Sequence, residues 1–262
     1  MSPMPFAQLT DGRLQYEITG TPDAPVLVFS NSLGATLSMW DSQVPVFQKQ
    51  FRVLRYDTRG HGQSTVTPGP YTIEQLGRDV LALLDELELD RANFCGLSMG
   101  GQTGMWLALN AAARLDTLIL CNTAAKIGTP ELWNTRIETV RKGGMKSIST
   151  AVMERWFSSD FRRNSPDLVA AIKQLFERTS PEGYAANCAA IRDFDARETI
   201  AAISTPTLVI SGTHDVATTP ADGRFLADRI SGARYVELNA AHISNIEAHD
   251  RFNTELNAFL HS

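Results

Sequence analysis

The sequence predicts an α/β fold in which helices cover both faces of a mostly parallel central sheet. Two observations predict it. Short, continuous apolar runs alternate with stretches of helical periodicity along the early chain, a pattern typical of parallel sheets buried on both faces. The chain also has 262 residues and 43% hydrophobic content, which suffices for one sizeable domain or a domain that carries an insertion.

Six runs of five residues have strand character. They are residues 26–30 (VLVFS), 52–56 (RVLRY), 93–97 (NFCGL), 117–121 (TLILC), 207–211 (TLVIS) and 234–238 (RYVEL). A helix is predicted over 73–87, where leucines and valines recur at helical spacing and form one apolar stripe that should pack on the sheet. A last helix is predicted over 247–260.

The pattern changes in the middle of the chain. Residues 130–191 contain no strand-like run, but they contain helical segments separated by Gly, Asn-Ser-Pro and Ser-Pro-Glu-Gly breaks. We therefore predict a helical cap at 130–191, inserted into an α/β core formed by residues 1–129 and 192–262.

Charge, cysteine content and hydropathy limit the partners and the cellular compartment that we expect for the protein. A net charge of -5 gives no electrostatic reason to expect a nucleic-acid or membrane-surface partner. The first residues lack the pattern of a secretory signal, and no segment is long enough to span a bilayer. The three cysteines are odd in number and predict free thiols in a reducing compartment. We expect a cytoplasmic protein; no feature of the sequence indicates its oligomeric state.

The segment Gly96-Leu97-Ser98-Met99-Gly100 follows a strand candidate and precedes a helical stretch. A serine on a sharp strand-to-helix turn projects its hydroxyl above the sheet, and the flanking glycines remove side chains that would collide in that turn. This context predicts that Ser98 is a nucleophile. The alternative is a Gly/Ser turn without chemistry.

A serine hydroxyl needs a base within hydrogen-bond reach. The sequence offers His61, His214, His242, His249 and His261. His242 follows the last strand candidate by a short loop, which places it at the carboxyl edge of the sheet, where ligands of open α/β folds bind. We predict His242 as the base. His61 lies in a Gly-rich turn and is expected to be structural, whereas His249 and His261 are expected to be solvated.

The base in turn needs an acid that orients it. Asp215 follows strand candidate 207–211 through the loop GTHD and lies between Ser98 and His242 in sequence, in the chain order of hydrolases with this turn. We predict Asp215 as that acid; the alternative is an ordinary turn aspartate. His214 ranks behind His242, because the neighbour of the acid cannot easily accept its hydrogen bond and still reach Ser98.

Acyl transfer also needs donors where negative charge develops on the carbonyl oxygen. The Met99 N–H, at the start of the helix after Ser98, is one predicted donor and benefits from the helix dipole. The Leu33 N–H, in the loop after strand candidate 26–30, is the other.

Several motifs resemble the α/β-hydrolase superfamily in their order along the chain: the loop after VLVFS, then DTRGHGQS, GLSMGG, GTHD and AAHISNIE. Within that superfamily, SNSLGATLSMWD, YDTRGHGQS, NTAAKIGTPELWNTRI, GYAANCAAIRDFD and ARYVELNAAHISNIE resemble the 3-oxoadipate enol-lactonases of aromatic-acid catabolism. The similarity spans core and cap. One departure is Asn31-Ser32, where a His-Gly pair is common in the superfamily.

The resemblance implies hydrolysis of a small anionic substrate, a five-membered enol-lactone with an acetate side chain, to 3-oxoadipate. It implies no metal and no organic cofactor. The substrate carboxylate requires a donor in an otherwise apolar pocket. Trp133, Asn134 and Arg136 are candidate contacts in the cap, and Trp156 is a candidate apolar wall; each could instead be a core or surface residue.

Two other classes of function stay open. One is another hydrolase with the same triad, acting on an ester, a thioester or a carbon–carbon bond, or a cofactor-free perhydrolase. The other is a ligand receptor on a hydrolase scaffold, with negligible turnover. Dehalogenase and epoxide-hydrolase chemistry is disfavoured, because those relatives carry aspartate at the position of Ser98.

Overall fold

The computed structural model describes residues 5–262, and eight strands form one sheet in the order β1-β2-β4-β3-β5-β6-β7-β8. The strands are β1 (Phe6–Leu9), β2 (Gly12–Thr19), β3 (Val26–Ser30), β4 (Arg52–Tyr56), β5 (Ala92–Leu97), β6 (Leu115–Cys121), β7 (Thr207–Gly212) and β8 (Arg234–Leu238). β2 pairs antiparallel with β1 and β4, and all other neighbours are parallel. The predicted mostly parallel sheet is confirmed.

The six predicted strands appear as β3 to β8 with ends that agree to within two residues. The hairpin β1–β2 was not predicted. β2 lies at the antiparallel side of the sheet and most of its side chains are half-buried, so it lacks the continuous apolar run that marks the parallel strands. Its pairing with β4 is a tertiary feature.

Eleven α-helices lie within residues 5–262. They are α1 (Val44–Phe47), α2 (Ile73–Glu86), α3 (Met99–Asn110), α4 (Pro130–Gly143), α5 (Lys146–Trp156), α6 (Ser159–Asn164), α7 (Pro166–Glu177), α8 (Pro181–Asp193), α9 (Pro220–Arg229), α10 (Ser244–Glu247) and α11 (His249–Leu260). The predicted helix over 73–87 is α2. The predicted last helix is divided into α10 and α11 at Ala248, whose φ of -122° and ψ of 43° are not helical.

Alternate residues of each strand supply two cores, one on each face of the sheet. Phe29 and Cys95 pack with residues of α1, α11 and the helical insertion. Val28 and Phe94 pack with residues of α2, α3 and α9. Helices therefore cover both faces, as the sequence predicts.

The chain leaves the sheet after β6, forms helices α4 to α8, and returns at β7. α4 packs against α8, which closes the insertion on itself. Helix α4 ends at Gly144, whose φ of 67° is left-handed. On this arrangement we propose residues 130–191 as the cap.

Three further observations concern residues 5–262. No helix there combines the length and the apolar character that a bilayer crossing needs. No group of three or more His, Cys, Asp or Glu side chains is placed to hold a metal ion. The cysteines Cys95, Cys121 and Cys188 are free and buried, in agreement with the prediction.

Candidate active site

Ser98 stands between the end of β5 and the start of α3, in a backbone conformation that few residues adopt. Its φ is 57° and its ψ is -112°, outside the regions favoured by L-residues. A Cβ atom on Gly96 would lie 2.1 Å from the Gly100 carbonyl oxygen, and one on Gly100 would lie 2.3 Å from the Ser30 carbonyl oxygen. Only glycine fits at both positions, so the sharp turn predicted from the sequence depends on them.

The structure brings Ser98, His242 and Asp215 together. His242 lies in the loop after β8 and Asp215 in the loop after β7. The imidazole Nδ1 is 2.8 Å from Asp215 Oδ2, and both side chains are buried. Ser98 and His242 border one narrow cavity of about 40 Å³ beneath the cap. The arrangement places an imidazole near the serine and a carboxylate behind the imidazole, which is the order of groups that a Ser-His-Asp triad requires.

Asp215 is surrounded by hydrogen-bond donors. Its Oδ1 accepts the N–H groups of Ala217 and Thr218 at 2.8 and 3.0 Å, and its Oδ2 accepts the Thr218 hydroxyl at 2.8 Å. Burial alone would raise the pKa of Asp215, but the charge and hydrogen bond of His242, with the bonds from Asn122 and Thr218, lower that pKa to about 2. The carboxylate is therefore ionised at neutral pH.

Asn122, which the sequence analysis missed, joins the two loops that carry the acid and the base. It follows β6 with a left-handed φ of 44°. Its Nδ2 donates to Asp215 Oδ2 at 3.0 Å and to the Ala241 carbonyl at 3.2 Å, and its Oδ1 accepts the Ser244 hydroxyl at 2.5 Å. A polar residue directly after a predicted parallel strand, at the edge where ligands bind, was the available signal.

The other histidines lie elsewhere. His214 Nε2 is 2.8 Å from Asn239 Oδ1 in an exposed position, away from the cavity that Ser98 borders. His249 and His261 are exposed. His61 is buried below the loop after β3, and its Nε2 accepts the Gly34 N–H at 2.8 Å.

His61 is expected to make the protein less stable in mild acid. Burial lowers the pKa of His61 to about 4, whereas an unfolded histidine titrates near 6.5. Between these values the unfolded chain binds a proton that the folded chain does not, so stability falls as the pH drops, by about 3 kcal/mol over the window. Urea unfolding of wild type and His61→Gln from pH 7 to pH 4 checks this. If the difference in the free energy of unfolding between wild type and His61→Gln did not change with pH, this prediction would be wrong.

Two backbone amides beside Ser98 are free to donate. Within residues 5–262, neither the Leu33 N–H nor the Met99 N–H has a hydrogen-bond acceptor. The neighbouring amides are all occupied: Ser32 bonds Met39 Sδ, Gly34 bonds His61 Nε2, Ser98 bonds the Cys121 carbonyl and Gly100 bonds the Asn31 carbonyl. The predicted oxyanion donors are thus the two amides that the fold leaves available.

Asn31 anchors residues 31–34, which we call the oxyanion loop because they include the predicted donor Leu33. Asn31 and Ser32 stand where a His-Gly pair is common in the superfamily. Asn31 Nδ2 donates to the Tyr56 carbonyl at 2.8 Å, and its Oδ1 accepts the Trp40 indole N–H at 2.9 Å. The Asn31 carbonyl accepts the Gly100 N–H at 3.1 Å, which ties the loop to the helix after Ser98. An asparagine can therefore hold this loop through both side chain and backbone.

The cap residues predicted to contact substrate divide into two groups. Trp133, Arg136 and Trp156 border the cavity with Ser98. The prediction for Asn134 is not supported by its position: its Oδ1 accepts from Arg192 at 2.8 Å, and it borders a separate outer cavity. Helical geometry explains the difference, because residues one apart on α4 point in directions about 100° apart.

Arg155, which the sequence analysis missed, borders the same cavity as Arg136. Within the described chain, neither guanidinium forms an ion pair with a carboxylate; Arg136 bonds only the Tyr184 hydroxyl, at 3.4 Å. Burial, and then the positive charge of Arg136, lowers the pKa of Arg155. In the sequence, Arg155 is one more charge on an amphipathic helix, so no local signal marked it.

Comparison with known proteins identifies the family to which this chain belongs. A family model described as the alpha/beta hydrolase fold matches residues 25–249, which include Ser98, Asp215 and His242. The chain belongs to the α/β-hydrolase family. This confirms the superfamily resemblance predicted from the sequence.

This α/β-hydrolase is similar to enol-lactonases over nearly its whole length. It is 45% identical over 250 residues to 3-oxoadipate enol-lactonase 2 of Acinetobacter baylyi (95% of this chain, 94% of the relative). It is 42% identical over 249 residues to 3-oxoadipate enol-lactonase 1 of the same organism (95% and 93%). The crystal structure of the enol-lactonase from Burkholderia xenovorans LB400 superposes with a TM-score of 0.97 at 53% identity, covering 98% of this α/β-hydrolase and 100% of that chain.

Proposed function

We propose that this α/β-hydrolase hydrolyses 3-oxoadipate enol-lactone to 3-oxoadipate, a step of aromatic-acid catabolism, with Ser98, His242 and Asp215 as its catalytic triad. The observation that carries the proposal is the cavity beside Ser98, which holds two arginines without carboxylate partners. Such a site favours a substrate that brings its own negative charge. The similarity to enol-lactonases over core and cap supports the same substrate.

Acylation begins with attack of Ser98 Oγ on the lactone carbonyl carbon while His242 takes the hydroxyl proton. Negative charge moves onto the carbonyl oxygen, where the N–H groups of Leu33 and Met99 stabilise it. Collapse of this intermediate breaks the bond between the carbonyl carbon and the ring oxygen. The released enol oxygen takes the proton from His242, and the enol tautomerises to the ketone. The enol is a stabilised leaving group, so proton donation is less demanding than for an amide.

Deacylation repeats the same steps with water. His242 removes a proton from water, the resulting oxygen attacks the ester carbonyl, and the proton returns to Ser98 Oγ as the acyl bond breaks. Asp215, which stays ionised throughout, orients the imidazole and stabilises its protonated form. The net reaction adds one water to the lactone and releases 3-oxoadipate.

The acetate arm of the substrate stays ionised throughout the reaction and needs donors in a cavity whose walls include Trp133, Trp156 and Tyr184. Arg136 and Arg155 supply those donors in this proposal. Burial, and then the positive charge of Arg136, lowers the pKa of Arg155, and a carboxylate between the two guanidinium groups offsets their repulsion. Binding of an anion is thus favoured by the positive charge that both arginines bring to the cavity.

The first test compares the purified protein on 3-oxoadipate enol-lactone and on p-nitrophenyl acetate, with Ser98→Ala as the blank. We expect a kcat/KM for the lactone that exceeds the value for the ester by about two orders of magnitude, because the charged arm adds binding energy that the neutral ester lacks. A preference for the ester would instead indicate a general esterase. No Ser98-dependent turnover of either compound would indicate a receptor on a hydrolase scaffold.

Arg155→Met is expected to raise KM for the enol-lactone about 10- to 100-fold, because a hydrogen bond between charged groups contributes about 1.5–3 kcal/mol. Steady-state kinetics on both substrates measure the effect, and KM for p-nitrophenyl acetate should change less than about threefold. Arg141→Met, on the exposed outer side of α4, is the matched control and should leave both KM values unchanged. Equal effects of Arg155→Met on the two substrates would exclude Arg155 as the anchor.

A further inference from the structure

We propose that His61 is a positioning residue of the oxyanion hole, which it holds in place through Gly34 and links to the cap through the Arg59 carbonyl. This inference rests on the proposed function only in taking Leu33 N–H as an oxyanion donor. His61 does not border the cavity beside Ser98, so its role is exerted through the backbone of the oxyanion loop.

The contact at Gly34 fixes the peptide that follows Leu33. The Gly34 N–H donates to His61 Nε2 at 2.8 Å, and the imidazole is buried. The peptide that precedes Leu33 is restrained as well, because its Ser32 carbonyl accepts the Ala35 N–H at 3.1 Å. One peptide earlier, the Ser32 N–H contacts Met39 Sδ at 3.4 Å. Leu33 thus lies between two fastened amides, and its own N–H is directed by them. Loss of either restraint would let the donor rotate away from the developing charge.

The contacts of His61 allow only one tautomer. Its Nδ1 lies 3.3 Å from the Arg59 carbonyl oxygen, which can only accept, so Nδ1 carries the proton. Its Nε2 faces the Gly34 N–H, which can only donate, so Nε2 must be unprotonated. The imidazole is therefore neutral, in keeping with the burial that lowers the pKa of His61 to about 4. A protonated ring would place two donors against each other at Gly34.

The cap contacts both ends of this arrangement. Asn187 on α8 donates its Nδ2 to the same Arg59 carbonyl at 2.8 Å. At the other end, Gly34 adopts a left-handed φ of 85°, and a Cβ atom there would lie 2.4 Å from the ring of Phe176 on α7. The Gly34 peptide is thus confined between a core histidine and cap helices. A shift of the cap would move His61 and the oxyanion loop together.

Two variants with an amide side chain at position 61 distinguish a positioning role of His61 from a general contribution to stability. Gln at position 61 can place an amide oxygen near the site of Nε2 and accept the Gly34 N–H. Asn is one methylene shorter, so it reaches the Arg59 carbonyl but leaves the Gly34 N–H without an acceptor. Removal of a whole oxyanion donor costs about 10²- to 10³-fold in kcat. We expect His61→Asn to lower kcat about tenfold or more with KM within twofold, and His61→Gln to stay within about threefold of wild type.

The assay uses p-nitrophenyl acetate, so that it depends on Ser98 and not on the assignment of the lactone. Phenylboronic acid, which forms a tetrahedral anionic adduct with a serine hydroxyl, reports on the oxyanion hole directly. Its inhibition constant should rise in His61→Asn by the same factor as kcat falls, and should return in His61→Gln. Equal kcat and boronate affinity in folded His61→Asn and wild type would overturn the proposal, as would equal losses in both variants.

A measurement on the wild-type protein keeps the test independent of variant folding. In protein labelled with ¹⁵N-histidine, the His61 nitrogen signals at neutral pH should show a protonated Nδ1 and an unprotonated Nε2. The opposite tautomer would overturn the proposal. A protein that shows the expected tautomer and Ser98-dependent ester hydrolysis, but does not open the enol-lactone, would contradict the proposed function and leave the role of His61 standing.

Discussion

Replacement of Ser98 by alanine is expected to lower kcat about 10⁵- to 10⁶-fold on the enol-lactone, while the free energy of unfolding changes by less than about 1 kcal/mol. The loss is large because the variant lacks the hydroxyl that attacks the lactone carbonyl in the proposed mechanism. The residual rate over water comes from the oxyanion donors and from binding, which the variant keeps. The free energy of unfolding changes little because, within residues 5–262, the Ser98 hydroxyl makes no hydrogen bond that alanine would lose.

Single-turnover kinetics check this result, together with urea unfolding of both proteins. Ser159→Ala, an exposed serine on the cap helix α6, is the matched control and should retain wild-type kcat. In wild type, p-nitrophenyl acetate should also release a burst of nitrophenol if deacylation is slow, and the burst should vanish in Ser98→Ala. A variant that kept more than about a tenth of the wild-type rate would show that another group attacks the carbonyl.

Replacement of Asp215 by asparagine is expected to lower kcat about 10⁴-fold. The carboxylate accepts from His242, Asn122 and Thr218 and from one further backbone amide. An amide group offers one acceptor oxygen and a donor in place of the second, so at least one of these contacts becomes donor against donor. The imidazole then loses the partner that selects its tautomer, and the buried mismatch costs about 1–3 kcal/mol of stability.

Asp222→Asn is the control for this change, since Asp222 is a half-buried acid in the capping box of α9 and does not border the cavity beside Ser98. It should leave kcat unchanged and reduce stability by no more than about 1–2 kcal/mol. Measurement of kcat for both variants, with His214→Ala beside them, assigns the acid and the base. Wild-type activity in Asp215→Asn would exclude Asp215 as the acid, and an inactive His214→Ala would exclude His242 as the base.

Local sequence patterns were sufficient for most of the core. The inner parallel strands are recognisable because they are buried on both faces and therefore largely apolar, as in 26–30 and 207–211. The turn at Ser98 was recognisable because its glycines are required by backbone contacts that no other residue tolerates. The hairpin β1–β2 was missed because the strands were sought as continuous apolar runs. Residues 13–19 of β2 instead alternate polar and apolar side chains, as half-buried antiparallel strands do.

The sequence by itself determined the α/β class, the helical insertion and the chain order of Ser98, Asp215 and His242, since strand, turn and helix patterns are local. Only the tertiary structure decided which cap side chains reach the cavity, and it selected Arg136 and Arg155 over Asn134. It also revealed Asn122 and His61 as partners of the acid and of the oxyanion loop. The physical reason is that these contacts join residues far apart in the chain, and their geometry is set by how helices and loops pack rather than by any neighbouring residues.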